Sequence, residues 1–171
     1  MKKEILTYPD KKLKQCSKDV EKFDTALHNL LDDMYETMLE SGGIGLAAIQ
    51  TGIPLNVLIL ELCDEDGNKI SELMEVINPK IVKKEGETRH KEGCLSVPDF
   101  YEEITRFEKV VVEYKDRFGN ECISSADGLL SIAFQHEIDH LNGRLFFERL
   151  SILKRKKFEK EYKPTAKTGK K

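Results

Sequence analysis

Two histidines four residues apart, with an acid between them, carry the clearest chemical signal in the sequence. The stretch QHEIDHLNGRLF, residues 135–146, holds His136, Glu137 and His140. On an α-helix, residues four apart lie about 40° apart around the axis, so both imidazoles can face one metal ion. Glu137 then lies about 100° from His136 and about 60° from His140, where a general base for a metal-activated water molecule is needed. The pattern favours a hydrolytic metal site over the alternative, two histidines on an ordinary helix whose ring nitrogens are hydrogen-bonded.

The usual helical zinc-site patterns do not supply a third ligand here. The motif extends to HExxHxxG at Gly143, but a third histidine would be needed at position 146, which is Phe146. A glutamate about two dozen residues further on is the other pattern, yet Glu159 and Glu161 lie in a lysine-rich segment that we expect to stay in solvent. A small zinc peptidase therefore remains only as an alternative.

A candidate third ligand lies upstream in KEGCLSVPDF, residues 91–100. Cys94 follows Gly93 and precedes a short extended run that ends at Pro98, so a thiolate here can approach a metal closely while neighbouring backbone amides stay free. The other cysteines form no CxxC pair and are predicted to be structural thiols, without a disulfide framework. They are Cys16, Cys63 and Cys122.

A glycine-rich stretch, SGGIGLAAIQTGIP at 41–54, is the third unusual segment. A phosphate-binding loop is a weak interpretation, because no GK[ST] follows and no strand precedes it. We instead predict an extended backbone along which a peptide can lie, with the Gln50 amide directed at the reaction centre.

Three predicted helices frame these segments. Apolar residues recur at helical spacing from Phe23 to Met38, with Asp24 as N-cap and Gly42 and Gly43 as the stop. A second helix over 126–143 carries the histidines and stops at Gly143. A third begins after the cap Ser151, and residues 164–171 are predicted to fray.

Strands are predicted between these helices. Residues 56–62 read as a short buried strand, and residues 109–125 as a hairpin whose loop contains Gly119 and Asn120. Pro79 interrupts a strand over 74–82, which predicts that this strand lies at a sheet edge or is bent. The fold class is therefore α+β: antiparallel or mixed sheets around a central HExxH helix, with an N-terminal and a C-terminal helix.

Composition limits the class of protein. The chain has 171 residues, 39% hydrophobic and 35% charged, which is typical of one globular domain. No apolar run approaches the roughly 20 residues needed to span a bilayer, and no apolar segment follows the N-terminal lysines as in a signal peptide. We expect a cytoplasmic monomer without membrane contact.

Charge is distributed unevenly along the chain. Residues 154–171 hold nine Lys or Arg and two Glu, a net charge of +7, so that residues 1–153 carry −10 of the total of −3. We therefore expect a catalytic domain over 1–153 and a basic helix end with a frayed tail over 154–171. A nucleic-acid partner for the tail is one interpretation, and a solvated end is the other.

Taken together, three motifs resemble those of the bacterial peptide deformylase family, type 1. They are GIGLAAIQ (43–50), EGCLS (92–96) and HEIDH (136–140), in the family's order and at typical separations. The resemblance covers about residues 4–155. The chain departs from the family at Gly42, where many relatives have an acid, and in its lysine-rich end.

The resemblance implies hydrolysis of the N-formyl group from the formyl-methionine of nascent chains, with release of formate. It implies that Cys94, His136 and His140 bind the metal and that Glu137 takes the proton of water and delivers it to the leaving nitrogen. The side-chain amide of Gln50 and the backbone N–H of Leu95 would stabilise the oxyanion.

The resemblance also implies how the peptide binds. The main chain of 43–45 and of Gly93 would pair with it as an added strand. Specificity would be strong for methionine and loose beyond it. The methionine pocket would be formed by Ile44, Leu129, Ile132 and Ala133, and the segment that pairs with the peptide comprises Gly43, Ile44 and Gly45. We further hypothesise an ion pair between Glu92 and Arg106 that braces the Cys94 strand.

The metal and the partner are two further expectations. Two imidazoles and one thiolate suit zinc by ligand type, whereas the resemblance implies ferrous iron, with zinc, nickel or cobalt as substitutes. A contact with the ribosome near its exit tunnel, through the basic C-terminus, would suit an enzyme of nascent chains. A non-catalytic, metal-stabilised module that docks on RNA is the alternative from another class. It would need a fourth protein ligand.

Overall fold

The computed structural model describes residues 1–164, and within this range the fold is α+β, as predicted. The described part contains three α-helices and seven β-strands, besides three short 3₁₀ helices. The helices are α1 (Thr25–Ser41), α2 (Gly128–Leu141) and α3 (Ile152–Glu161). The strands are β1 (Gly45–Ala47), β2 (Val57–Leu60), β3 (Met74–Glu85), β4 (Thr88–Cys94), β5 (Val97–Arg106), β6 (Lys109–Lys115) and β7 (Glu121–Asp127).

These strands form two antiparallel sheets. The larger has the order β1-β2-β3-β6-β7, and β4 and β5 form a separate two-stranded sheet. The predicted hairpin of 109–125 is confirmed, with Lys109 opposite Asp127 and Lys115 opposite Glu121. No helix of the described residues is long and apolar enough to cross a bilayer.

The larger sheet is covered on both faces, which explains the uninterrupted apolar sequence of β2. Val57 and Ile59 belong to the core that α1 packs on, whereas Leu58 and Leu60 belong to the core that α2 packs on. A strand buried on both faces cannot alternate between apolar and polar residues. Because β1 pairs directly with β2, the glycine-rich segment lies beside the helix that carries the histidines.

The predicted helix boundaries are confirmed. Asp24 caps α1, since its carboxylate accepts a hydrogen bond from Leu27 N at 3.2 Å, and Gly42 ends the helix with φ of 73°. Gly143 follows α2 with φ of 75°, and a Cβ there would lie 2.4 Å from the carbonyl oxygen of Lys14. Only glycine fits this position, and the chain therefore turns sharply after His140.

The prediction for β3 is confirmed in part. The strand is bent, because its register with β6 shifts between Ile77 and Lys80 and Asn78 has φ of 54°. It does not lie at a sheet edge, however: β3 is the central strand of five. The bulge removes Pro79 from the ladder, so that its missing N–H costs no hydrogen bond.

A third core, rich in aromatic residues, joins α3 to the smaller sheet. The ring of Phe158 in α3 stacks on Phe147 with centroids 4.1 Å apart, and Phe158 is only 3% exposed. Ser151 caps α3 as predicted and accepts a hydrogen bond from Lys154 N at 3.3 Å. Of the segment predicted to fray, residues 165–171 lie outside the described residues.

Candidate active site

Cys94, His136 and His140 meet at one point of the structure. Cys94 is the last residue of β4, and the histidines lie one turn apart on α2. One donor atom from each residue lies within 4.8 Å of the others, and Cys94 Sγ is 3.3 Å from His140 Nε2. Within residues 1–164, no fourth Cys, His, Asp or Glu belongs to this group. The donor set fits a borderline-soft divalent ion that keeps one position open, and the three residues form a possible metal site.

His136 is held in place by Glu92. The carboxylate of Glu92 lies 2.9 Å from His136 Nδ1, which leaves the other ring nitrogen for the possible metal site. Burial by itself raises the pKa of Glu92, but hydrogen bonds from Arg106 and His136 outweigh burial and lower it to about 2. Glu92 therefore stays ionised near neutral pH and orients the imidazole.

The hypothesised ion pair between Glu92 and Arg106 is present. Arg106 donates from Nε and Nη2 to the two oxygens of Glu92 at 2.8 and 2.9 Å, and both side chains are almost fully buried. From Nη1, Arg106 also donates to Asp139 at 2.7 Å, and Asp139 accepts two further hydrogen bonds from Arg149. The sequence analysis missed Asp139 and Arg149. The position of Asp139 beside His140 was the only available signal, and nothing in the sequence pointed to Arg149.

The two histidines differ in their environments. Burial lowers the pKa of His136, but the adjacent Cys94 and Glu92 outweigh it, so that its pKa lies well above the usual range. Burial, together with the charge of His136, holds the pKa of His140 well below its usual range. His140 is 1% exposed, and its Nδ1 has no hydrogen-bond partner. Its Nε2 faces Cys94 Sγ at 3.3 Å, and a divalent ion bound between the three residues would hold both imidazoles neutral.

Glu137 has the opposite setting to Glu92. It is 6% exposed, its Oε1 has no hydrogen-bond partner, and burial raises its pKa to about 7. Gly45 of β1 lies against it, since a Cβ at position 45 would be 2.7 Å from Glu137 Oε2. A carboxylate whose pKa lies near neutrality can both accept and return a proton.

Gln50 is fixed at both ends of its amide. Its Oε1 accepts a hydrogen bond from Ala47 N at 2.9 Å, and its Nε2 donates to Ser96 Oγ at 3.0 Å. Nε2 also lies 3.7 Å from Cys94 Sγ. Its two N–H bonds therefore point to Ser96 Oγ and to Cys94 Sγ, one of the three residues of the possible metal site.

A cavity of about 460 Å³ opens beside these groups. It is lined by every residue predicted from the sequence to contact the substrate and by the two residues predicted to stabilise the oxyanion. These are Gly43, Ile44, Gly45, Gln50, Gly93, Leu95, Leu129, Ile132 and Ala133. The sequence analysis did not identify the residues at the mouth, which are His90, Lys91, Pro98, Asp99 and Tyr101. Tyr101 is the neighbour in sequence of a core aromatic, Phe100, and only strand alternation could have suggested that it faces the other way.

Comparison with known proteins extends over nearly the whole chain. Residues 2–156 match the model of the polypeptide deformylase family. Peptide deformylase of Helicobacter pylori (strain P12) is 58% identical over 168 residues, which cover 98% of this chain and 97% of the relative. The crystal structure of a peptide deformylase from Legionella pneumophila is 42% identical with a TM-score of 0.85, and the match covers 94% of this chain and 93% of that one. Peptide deformylase from Ehrlichia chaffeensis, crystallised in complex with actinonin, is 43% identical with a TM-score of 0.84 over 95% of this chain and 99% of that one.

Proposed function

The chain belongs to the peptide deformylase family of hydrolases, which act on nascent peptides, and from this premise we propose that it removes the N-formyl group from N-terminal formyl-methionine with a metal ion. The observation that carries the proposal is the meeting of Cys94, His136 and His140 beside the buried, unpaired oxygen of Glu137. Water adds to the formyl carbon, the C–N bond breaks, and formate and a free amine leave.

Three side chains would hold the metal. Cys94 Sγ and one nitrogen each of His136 and His140 supply three ligands and leave an open position, which is the ligand number of a catalytic rather than a structural site. A divalent ion held there supplies Lewis acidity, which polarises the formyl carbonyl and makes water a better nucleophile. Glu92 fixes the His136 ring through Nδ1, so the ligand nitrogen needs no reorientation when the metal binds.

Glu137 is the proposed general base and acid. Its carboxylate takes a proton from the attacking water and then gives it to the nitrogen that leaves as the amine. Burial raises its pKa to about 7, which suits both transfers near neutral pH.

Two donors are proposed to stabilise the oxyanion that develops on the formyl oxygen. One is the N–H of Gln50 Nε2 that points to Cys94 Sγ, in an amide that Ala47 and Ser96 hold in place. The other is the backbone N–H of Leu95, the residue after the Cys94 ligand. Preorganised donors of this kind need no rearrangement during the reaction.

The cavity suits a peptide with an N-terminal methionine. Ile44, Leu129, Ile132 and Ala133 supply apolar walls for the methionine side chain. The main chain of Gly43 to Gly45 and of Gly93 borders the same cavity and would pair with the peptide backbone.

Ferrous iron is the proposed physiological ion, with zinc, nickel or cobalt able to replace it. The family resemblance supports iron, and the thiolate of Cys94 makes the site sensitive to oxidation. Anaerobic loading with each ion in turn, with metal content and turnover measured on the same sample, tests this choice. Faster turnover per bound zinc than per bound iron would contradict it.

The test of the reaction is turnover of formyl-Met-Ala-Ser by anaerobically purified, iron-loaded protein. Wild-type protein should release formate, and Glu137→Gln should lose turnover while keeping its metal. Glu65→Gln, an exposed carboxylate in a turn of the chain, is the matched control and should behave as wild type. A fully metallated wild type that releases no formate would overturn the proposed function.

A contact between α3 and ribosomal RNA is proposed as the means of reaching nascent chains in the cytoplasm. Phe158 anchors α3 in the aromatic core, so the catalytic unit proposed for residues 1–153 would lose core packing if the chain were cut after Leu153. Charge reversal is therefore the cleaner test. The exposed residues to change are Lys154, Lys156 and Lys157, and the control set on the larger sheet is Lys80, Lys83 and Lys109.

Charge reversal of the three α3 lysines should weaken co-sedimentation with ribosomes and leave turnover of short peptides unchanged. Equal sedimentation of both sets would remove the ribosome proposal. The same centrifugation, without ribosomes, tests the proposed monomeric state.

A further inference from the structure

The mouth of the cavity holds an aromatic side chain that neither the fold nor the proposed chemistry uses. Tyr101 lines the cavity and is 63% exposed. Its neighbour Phe100 packs into the aromatic core against Phe146 and Phe158, on the other face of β5. Among residues 1–164, the Tyr101 ring has no aromatic partner and its hydroxyl has no hydrogen bond. Its apolar area is therefore free to bind a ligand.

The Tyr101 ring lies directly against Gly93. A Cβ at position 93 would be 2.4 Å from Tyr101 Cε1 and 2.5 Å from Cδ1, so any other residue there would displace the ring. Gly93 immediately precedes the metal ligand Cys94. The exposed ring therefore lies beside the residue that precedes Cys94, close to the proposed reaction centre.

Strand alternation shows which part of a bound peptide would meet this ring. Glu92 and Cys94 face α2 and the histidines, whereas the Cβ direction of Gly93 is towards Tyr101. Side chains of a paired strand alternate in the same way. If the methionine side chain enters the pocket on the α2 side, the side chain of the next residue emerges on the Tyr101 side.

We propose that Tyr101 is a specificity-determining residue that packs against the side chain following formyl-methionine and favours large apolar or aromatic residues there. The inference rests on the proposed function and replaces the expectation of loose specificity beyond methionine at this one position. Contact with a rigid, exposed ring gives a flat apolar side chain more buried area than alanine can provide.

The test compares kcat/KM for formyl-Met-Phe-Ser and formyl-Met-Ala-Ser. The wild type should prefer phenylalanine by about three- to tenfold, the range expected of one aromatic pair. Tyr101→Ala should bring the ratio close to one, and Tyr101→Phe should keep it. Phe118→Ala removes another exposed aromatic, which is 68% exposed in the β6–β7 turn, and should leave the ratio as in wild type.

The outcomes are distinguishable. Turnover of both peptides with the same ratio in wild type and Tyr101→Ala would overturn the role of Tyr101 and leave the proposed function intact. A wild-type preference for aspartate at the second position would also overturn it and would indicate Lys91 at the same mouth instead. No turnover of either peptide by metallated wild type would overturn the proposed function, and this inference with it. Tyr101→Thr, which suits an exposed strand position, repeats the comparison if the alanine variant has a lowered Tm.

Discussion

Glu92 binds His136 and Glu137 follows it in the chain, and the two side chains are almost equally buried, 5% and 6% exposed, yet their carboxyl groups differ sharply. Arg106 and His136 bind both oxygens of Glu92, and its pKa is lowered to about 2. One oxygen of Glu137 has no partner, and burial raises its pKa to about 7. Burial alone therefore does not decide the role of a carboxylate: its partners do.

The same contrast divides the whole site into a braced side and an open side. The braced side comprises Glu92, Arg106, Asp139 and Arg149, with alternating charges and every carboxylate paired. The open side comprises Glu137 and the cavity, where a polar atom is left unpaired. A buried polar atom without a hydrogen-bond partner lowers the stability of the fold. Groups of this kind are often found where a protein acts on a substrate.

The largest effect is expected when each glutamate is made neutral in turn. Glu137→Gln should lower turnover by about 10²–10⁴, because the variant lacks the proposed general base, and should not weaken metal binding. Glu92→Gln should instead weaken metal affinity by about 10–100-fold, because the imidazole loses its charged partner. Chelator competition and formate release, measured on both variants, separate the two roles. Similar metal affinity in both variants would remove the distinction.

The braced side should carry more stability than any surface pair. Arg106→Met would leave Glu92 and Asp139 as buried carboxylates without their shared partner, which is expected to cost about 3–5 kcal/mol in free energy of unfolding. Arg89→Met is the matched control on the same β-hairpin, since its pair with Glu103 at 3.8 Å is exposed and is expected to cost at most about 1 kcal/mol. Urea denaturation of the two variants gives the comparison. Equal losses would mean that Arg106 is not a structural brace.

The sequence was sufficient for the parts of the site that short motifs define. The two histidines and Glu137 follow from helical spacing alone, and Cys94 is the cysteine that follows a glycine. The braced side was only half predicted, because tertiary contacts bring Asp139 of α2 to Arg106 of β5, and Arg149 to Asp139. The central position of β3 was missed for a related reason. The bulge that takes Pro79 out of the hydrogen-bonded ladder depends on the partner strand β6 and not on the residues of β3 alone.

Acid should weaken the braced side over a defined pH range. The pKa of Glu92 is lowered from 4.5 to about 2, so its contribution to stability is full above about pH 4.5 and is lost as the pH falls towards 2. The lost free energy of unfolding should be about 3 kcal/mol for this group. Urea denaturation of the metal-free protein at several pH values measures the slope. In Glu92→Gln the slope should be smaller, and an unchanged slope would assign the acid sensitivity to other carboxylates.

The smallest predicted effect tests whether the open side needs its close contact with β1. Gly45→Ala adds a Cβ that would lie 2.7 Å from Glu137 Oε2 and 2.9 Å from Leu60 Cδ2, so the carboxylate must shift. Glu137 is the proposed general base, and small misplacements of such a group slow catalysis, so kcat should fall by about tenfold. Alanine keeps the N–H and C=O with which residue 45 is proposed to pair with the peptide, so KM should change less than kcat. An unchanged kcat would mean that Gly45 serves the peptide main chain alone, and that Glu137 owes its position to α2 and not to the strand beside it.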